Sequence, residues 1–566
     1  EKRGRGRGIW LAAAIVLLIA IAAWLWAQFG PKSILGRQGK ELRAIDLIPQ
    51  TMGVAVVADL RRLRKEAPEG DRLFKVAVQS VPQRWRTMAQ LLAHTKQVAA
   101  GIRLPTTAAK AASAGPPGAP AQFVPFGYGV QTEVEAVIAL QTPSPKAARS
   151  LLDAYAKGMG TQKPERQRYQ KVDILIWKKP EAAAAAALDQ FLIMAERPQH
   201  VSEVVGVALE YGQRSVGKSP AFTEAQKALE MKPMLTLLER PDEFMAPLQA
   251  AAKGAGRPFA MEGMAEWVVV GADLDEPGVF FRALSKLGPQ GQKWLAAFSP
   301  HPVKPNVAQW MPKDTMLAAA GGALGPLLEQ MLQAIGQTSP EVWEKIAALQ
   351  QQLGFDLRRD LLSAMTGSYA MVVGDLSTLA RQEIPQVAFV VETAPGAAPG
   401  LFDRFVALFT KLAPGTVGLQ PGQKRAVITI TAPMGPAFSM EVRVGLEATS
   451  STVAVGLPPA FVTALLQGLP EAKSLAGFFK DKKIPENAEA IFYFSPASIM
   501  TFASLQASAG GKEGEQAQKV AKVLEAFGPT YAWSARRDKA LTESEGRIAL
   551  DHKKLATALE PPTKTP

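Results

Sequence analysis

Cysteine is missing from all 566 residues. That absence removes zinc–thiolate centres, iron–sulfur clusters, thiol nucleophiles and disulfides from consideration. A lipid-anchor cysteine is excluded with them. A chain without thiols suits a compartment that would oxidise stray ones. Histidine is nearly as scarce: His94, His200, His301 and His552 stand far apart, none in a paired metal-ligand spacing. Each reads as a surface or capping residue, so no metal site is expected. Aromatics make up only 7%, which favours helices packed on sheets over an aromatic-lined catalytic cleft. No phosphate loop is read in the chain, and "GKSPAF" at Gly217 is taken as a turn into a helix. There is no G-x-S-x-G elbow, and the glycines of Gly321–Gly325 lack dinucleotide spacing. No catalytic residue and no cofactor is expected.

A basic stripe interleaved with aromatics is also lacking, so no nucleic-acid partner is expected, although the net charge is +13. Much of that charge is local. Residues 1–40 carry Lys2, Arg3, Arg5, Arg7, Lys32, Arg37 and Lys40 against Glu1 alone. Charge then vanishes from Ile9 to Phe29, "IWLAAAIVLLIAIAAWLWAQF", a run of 21 residues that is long enough to cross a bilayer as a helix. Trp10 at one end, with Trp24 and Trp26 at the other, would sit at the two interfaces. Arg3, Arg5 and Arg7 would hold the N-terminus in the cytoplasm. The expectation is a basic cytoplasmic tail over 1–8, a transmembrane helix over 9–29 that contacts membrane lipid, and a linker over 30–44. The bulk of the chain would then be periplasmic or otherwise extracytoplasmic. The rival reading is a signal peptide cleaved near Ala20–Ala23, but the apolar run continues beyond that point.

Length calls for more than one core. A segment pattern recurs: a short run of Val, Ile, Phe and Leu, then a proline-led turn, then apolar residues at helical spacing. It is read at Glu135 ("EAVIALQTPSPKAARSLLDAY"), Glu266 ("EWVVVGADLDEPGVFFRALSKLG"), Gln386 ("QVAFVVETAPGAAPGLFDRFVALF") and Gly546 ("GRIALDHKKLATAL"). Longer stretches also align. "FLIMAERPQHVSEVVGVAL" parallels "VAVGLPPAFVTALLQGL", and both lead into "KSPAF" or "KSLAGF". Such self-similarity predicts two duplicated halves, 45–298 and 306–560. Runs such as "AVITIT" and "MEVRVGLE" are close enough to be antiparallel neighbours. The predicted class is α+β, mainly antiparallel sheet backed by helices on one face. Between strands, a Pro/Gly/Ala loop over 110–129 carries Phe123, Phe126 and Tyr128, a candidate partner-binding loop.

The stretch "GFDLRRDLLSAMTGSYAMVV" from Gly354 holds two carboxylates, Asp356 and Asp360, around Arg358 and Arg359. Asp356 reads as a helix N-cap, Asp360 as a first-turn acid, and Gly367 as a left-handed helix end. With "MPKDTMLAAAGGALGPLLEQM", the strand–proline–helix segment and "KSLAGF", this stretch resembles the bacterial family catalogued as domain of unknown function 3352. The resemblance implies an N-terminal anchor and a large extracytoplasmic part, and supplies no catalytic residues. The expected function is therefore binding, as a non-catalytic accessory or scaffold subunit among other membrane or envelope proteins. The alternative is a carrier of lipid or another apolar ligand. A third reading is an enzyme built on Asp356 and Asp360.

Overall fold

The structure is a computed structural model. It describes residues 42–560 except 81–94, 105–134, 161–162, 179–182, 255–261, 297–300, 339, 376–383, 413–415, 421–422, 436–437, 498, 500–517 and 519. Residues 9–29, with Trp10, Trp24 and Trp26, lie outside the described residues, as do Arg3, Arg5 and Arg7 and the loop residues Phe123, Phe126 and Tyr128. Among the described residues no helix is long and apolar enough to cross a membrane. The chain forms two compact units: Glu1–Lys293 together with Leu555–Pro566, and Trp294–Lys554.

In the first unit the order is β1 (Val54–Asp59), α1 (Leu60–Glu66), α2 (Gly70–Ser80), β2 (Gln97–Arg103), β3 (Glu135–Gln141), α3 (Pro145–Gly158), β4 (Glu165–Tyr169), β5 (Val172–Trp177), β6 (Ala183–Leu188), β7 (Phe191–Ala195), α4 (Pro198–Leu209), α5 (Pro220–Ala228), β8 (Leu235–Glu239), α6 (Pro241–Gly254), β9 (Ala265–Asp275) and β10 (Gly278–Leu287), followed by α7 (Pro289–Ala296). Each strand pairs antiparallel with its neighbours, in the spatial order β4-β5-β6-β7-β3-β2-β1-β8-β9-β10.

The second unit contains β11 (Leu317–Gly321), α8 (Leu324–Thr338), α9 (Pro340–Leu353), β12 (Tyr369–Val373), β13 (Val387–Glu392), α10 (Ala398–Leu412), β14 (Val417–Leu419), β15 (Arg425–Gly435), β16 (Phe438–Ala448), β17 (Thr452–Leu457), α11 (Pro459–Leu466), α12 (Leu475–Phe479), β18 (Ala488–Phe494), β19 (Phe527–Arg536) and β20 (Leu541–Leu550); α13 (His552–Leu559) closes the chain. Its strands run β14-β15-β16-β17-β13-β12-β11-β18-β19-β20, again antiparallel throughout. This is the order of the first unit with ten added to each number. Small details repeat as well. The Ile48 carbonyl accepts from Val216 N–H at 2.7 Å while Gln50 N–H donates to Arg214; the Met311 carbonyl accepts from Leu475 N–H at 2.7 Å while Lys313 N–H donates to Lys473.

Local chemistry sets the strand–proline–helix steps. Ser144 caps α3 by accepting from Ala147 N–H, with Pro145 at the first helical position, and Ser219 with Pro220 does the same for α5. Two expectations need correction. Helices cover both faces of the sheet in the first unit, not one. Leu151 and Ala154 of α3 pack with Ala185, Leu192 and Trp177; the alternate residues Ala184 and Ala186 are buried on the opposite face, the side of α4. An all-alanine strand, Ala183–Ala187, allows that close approach from both sides. The segment from Glu266 is a β-hairpin rather than strand and helix: Asp275 pairs with Gly278 across Glu276–Pro277, and β9 and β10 stay paired to their far ends. Gly278, at φ 156°, supplies backbone that a side chain disfavours.

Candidate functional site

One face of the first unit's sheet opens into a groove of about 790 Å³. Its floor is made by Val57 and Thr236 of β1 and β8, with Ile45, Phe222, Met231 and Met234 around them. Polar groups interrupt that floor: Asp59 at the end of β1 and Gln97 at the start of β2. Asp59 also caps α1, accepting from Arg62 N–H at 3.0 Å. Around the rim stand Arg43, Arg62, Lys227 and Lys232 against Glu230. Arg43 is held by a fork of bonds to buried Asp46, at 2.9 and 3.1 Å, and lies over the Phe222 ring. Arg62 bonds Glu66 and lies 3.7 Å from Asp273, whose carboxyl is raised above its ordinary value by burial.

The second unit differs at the positions around this groove. Val57, Thr236 and Gly271 are direct register partners across β1, β8 and β9. The same positions across β11, β18 and β19 are Ala320, Ile491 and Trp533. One row further along, Leu238 and Val269 are replaced by Tyr493 and Tyr531, which stack edge-on with Phe478. In the second unit the recess is thus filled by aromatic rings. In the first a threonine stands where Ile491 does, and Leu229 and Pro233 occupy the space over Gly271.

A second feature of the first unit is a charged clasp. Arg103 ends β2 and Glu135 begins β3; they face each other in register and bond at 2.8 Å. They are the last register pair of these two strands. Buried His200 on α4 reaches the same Glu135 carboxylate at 3.3 Å, and Arg197 reaches it at 3.4 Å. Arg103 also bonds Thr51 and lies 3.3 Å from Glu203. Burial would raise Glu135, but the Arg103 hydrogen bond and the surrounding positive charge hold it below its ordinary 4.5. Burial holds His200 below its ordinary 6.5, against the pull of Glu135. Nδ1 of His200 is buried with no hydrogen-bond partner among the described residues. At the equivalent places the second unit has Gly374, Gln386, Pro458, Phe461 and Ala464. The fold itself therefore does not require these charges.

The clasp gives a pH prediction. Unfolded chain binds a proton near pH 6.5, whereas native His200 resists it, so stability is full above that pH and falls as pH drops below it. The groups that face His200 are Glu135, Arg103, Glu203 and Arg197. In His200→Phe, the residue of the second unit, urea midpoints measured for the first unit should flatten between about pH 7 and pH 5. The same slope in both proteins would assign the effect elsewhere.

Four sequence-based expectations meet the structure here. His200 and His552 are buried rather than superficial, because one serves the clasp and the other begins α13. His301 is half-buried, and His94 lies outside the described residues. Asp356 does cap its turn, accepting from Arg359 N–H at 2.8 Å, while Asp360 accepts from Asp356 N–H and from Arg359. Those bonds hold Asp360 down to about 2, so it is a firmly ionised, surface-facing structural acid. The turn that follows is a widened five-residue helix and then a 3-10 turn rather than a regular helix. Gly367 does not take the left-handed backbone expected of it; instead a side chain there would run into Glu392.

The spacing G-x-x-x-x-G-K-[ST] does occur, at Gly212–Ser219, where no phosphate loop was read. It follows helix α4 rather than a strand, and most of its N–H groups are already used. Val216 donates to Ile48, Lys218 to Ser215 and Ser219 to Val216. A side chain at Gly217 would collide with the Asp46 carboxylate, and an anion there would meet that same negative charge. The match is therefore one of spacing alone. Among the described residues no group of three His, Asp or Glu could hold a metal ion.

No curated protein matches the chain in sequence. A solved structure, crystal form III of TP0453, is 9% identical over 45% of this chain and 86% of its own, with a TM-score of 0.25, too distant to support an argument. The family described as "Protein of unknown function (DUF3352)" matches residues 87–407, from ahead of β2 into α10. Because that match spans more than half of the sequence and parts of both units, the chain belongs to this family.

Proposed function

We propose that this chain is a single-pass, membrane-anchored extracytoplasmic protein that acts by binding, as a non-catalytic accessory or scaffold subunit of an envelope or membrane complex. The uncharged run Ile9–Phe29, with Arg3, Arg5 and Arg7 before it and tryptophans at both ends, supports the anchor and its orientation. The shared strand order and the repeated Pro49 and Pro312 bridges support two halves duplicated from one ancestor. The observation that carries the binding role is the groove. The first unit's sheet carries a recess with charged groups on its rim, where the corresponding strand positions of the second unit carry Ile491 and Trp533. Its volume falls among those of ligand sites.

The test uses the full-length chain purified from its native membrane. It should sediment with other envelope proteins in a defined complex. A chain that always sediments as a free monomer would overturn the scaffold reading. The apolar part of the groove floor, Ile45, Val57 and Phe222, favours a second reading, a carrier of an apolar ligand. Mass spectrometry of lipid that co-purifies with the first unit, and is lost on filling the groove, would select that reading.

A further inference from the structure

Resting on the scaffold reading, we infer that the groove of the first unit takes an extended, acidic segment of a partner protein. Charge complementarity is the first reason. Four basic residues line the groove, Arg43, Arg62, Lys227 and Lys232, against Asp59 and Glu230. The two arginines are positioned by internal acids, Asp46 and Asp273. Lys227 and Lys232 are exposed on the rim, with no ion pair to another described residue, and so are placed to meet carboxylates from outside.

The second reason is the alternation of the floor. An acyl chain laid over half-buried Asp59 and Gln97 would strip water from their accessible polar atoms and return no hydrogen bond, at roughly 1–3 kcal/mol for each. An extended peptide presents N–H and C=O groups along its whole length and turns alternate side chains to opposite sides. It can satisfy those polar groups while setting apolar side chains on Val57 and Phe222. Met231 and Met234 flank that apolar part. Their flexible thioethers accept differently shaped side chains.

The experiment measures binding of three labelled probes to the full chain by fluorescence anisotropy: an alternating glutamate–leucine octapeptide, its lysine–leucine counterpart, and oleate. The acidic peptide should bind, and the basic one should bind at least roughly tenfold more weakly. Its affinity should fall roughly tenfold in the double variant Lys227→Glu/Lys232→Glu, and again as salt rises from about 50 to about 500 mM. Both lysines are exposed, so the double variant should keep its fold, which circular dichroism checks. Thr236→Ile, which borrows the residue of the second unit, should weaken the peptide without changing its salt dependence. Equal binding of both peptides, or no effect of the charge reversal, would overturn the inference. Displacement of the acidic peptide by oleate at the same site would replace it with the lipid reading. If the native complex survives Lys227→Glu/Lys232→Glu intact, the scaffold reading stands and the groove is not its docking site. If no native complex exists, the scaffold reading itself falls.

Discussion

Replacing Trp533 by alanine is expected to lower the stability of the second unit by about 3–5 kcal/mol. Trp533 lies on β19 beside Ile491 and packs with Ala488 and Ala535. These neighbours are small or already committed to the sheet. They cannot collapse into the space of an indole, so the lost contacts come with a residual cavity. The same position in the first unit is Gly271, where Leu229 and Pro233 already crowd the backbone at 3.2 Å. That unit manages without a ring because its loop and α5 were shaped around the shorter residue. Trp533→Ala should therefore create a recess in the second unit without reproducing the first unit's charged rim. Native-state hydrogen exchange of the β18 and β19 amides measures the loss locally, which avoids treating a two-unit chain as a single transition. A loss below about 1 kcal/mol would mean that the aromatic rings do not plug the second sheet as argued.

What could be read from the sequence was whatever depends on neighbours in the chain. The steps from β3 into α3 and from β13 into α10 announce themselves, because strand residues and a proline, with the Ser144 cap in the first case, follow one another within a few positions. The cap at Asp356 was legible for the same reason. Antiparallel pairing of β15 with β16 followed from two adjacent runs of alternating residues. The segment Val279–Leu287 misled because its apolar spacing fits a helix as well as a strand. Only its pairing with β9 decides between them.

The groove and the clasp were beyond this kind of reading. The groove region differs from the second unit at Thr236 and, beneath Leu229 and Pro233, at Gly271, thirty-five positions apart. It becomes visible only once register sets those residues against Ile491 and Trp533. The clasp gathers Thr51, Arg103, Glu135 and His200 from separate parts of the chain. One hint was available: "RPQH" aligned with "PPAF" puts a histidine opposite a phenylalanine. A titratable residue at a position where the sister half buries an aromatic ring is worth following.

Arg240→Ala is expected to destabilise the first unit by about 3 kcal/mol. The Arg240 side chain is only 8% exposed. One terminal nitrogen donates to the Gln50 and Met52 carbonyls and the other pairs with Glu243. Its Nε is buried with no partner among the described residues. The guanidinium thus ties Pro49–Gly53, the approach to β1, to the end of β8, where Arg240 N–H also donates to Gly53. Removing it leaves two carbonyls without donors and a gap beneath the loop. Charged hydrogen bonds of this kind are worth about 1.5–3 kcal/mol each before relaxation. Arg240→Lys should recover little, since a single ammonium cannot span both carbonyls and Glu243 in the geometry of a planar fork. In the second unit Ser495 occupies this place; its N–H keeps the backbone bond to Met316 and its side chain hydrogen-bonds Tyr493. Its loop has no buried cation to lose, so Ser495→Ala, which removes one neutral hydrogen bond, should cost only about 0.5–1.5 kcal/mol. Hydrogen exchange of the β1 and β8 amides for Arg240→Ala, and of the β11 and β18 amides for Ser495→Ala, compares the two variants. Equal, small effects would show that Arg240 is tolerated there rather than needed, and that the loop before β1 is held by its backbone alone.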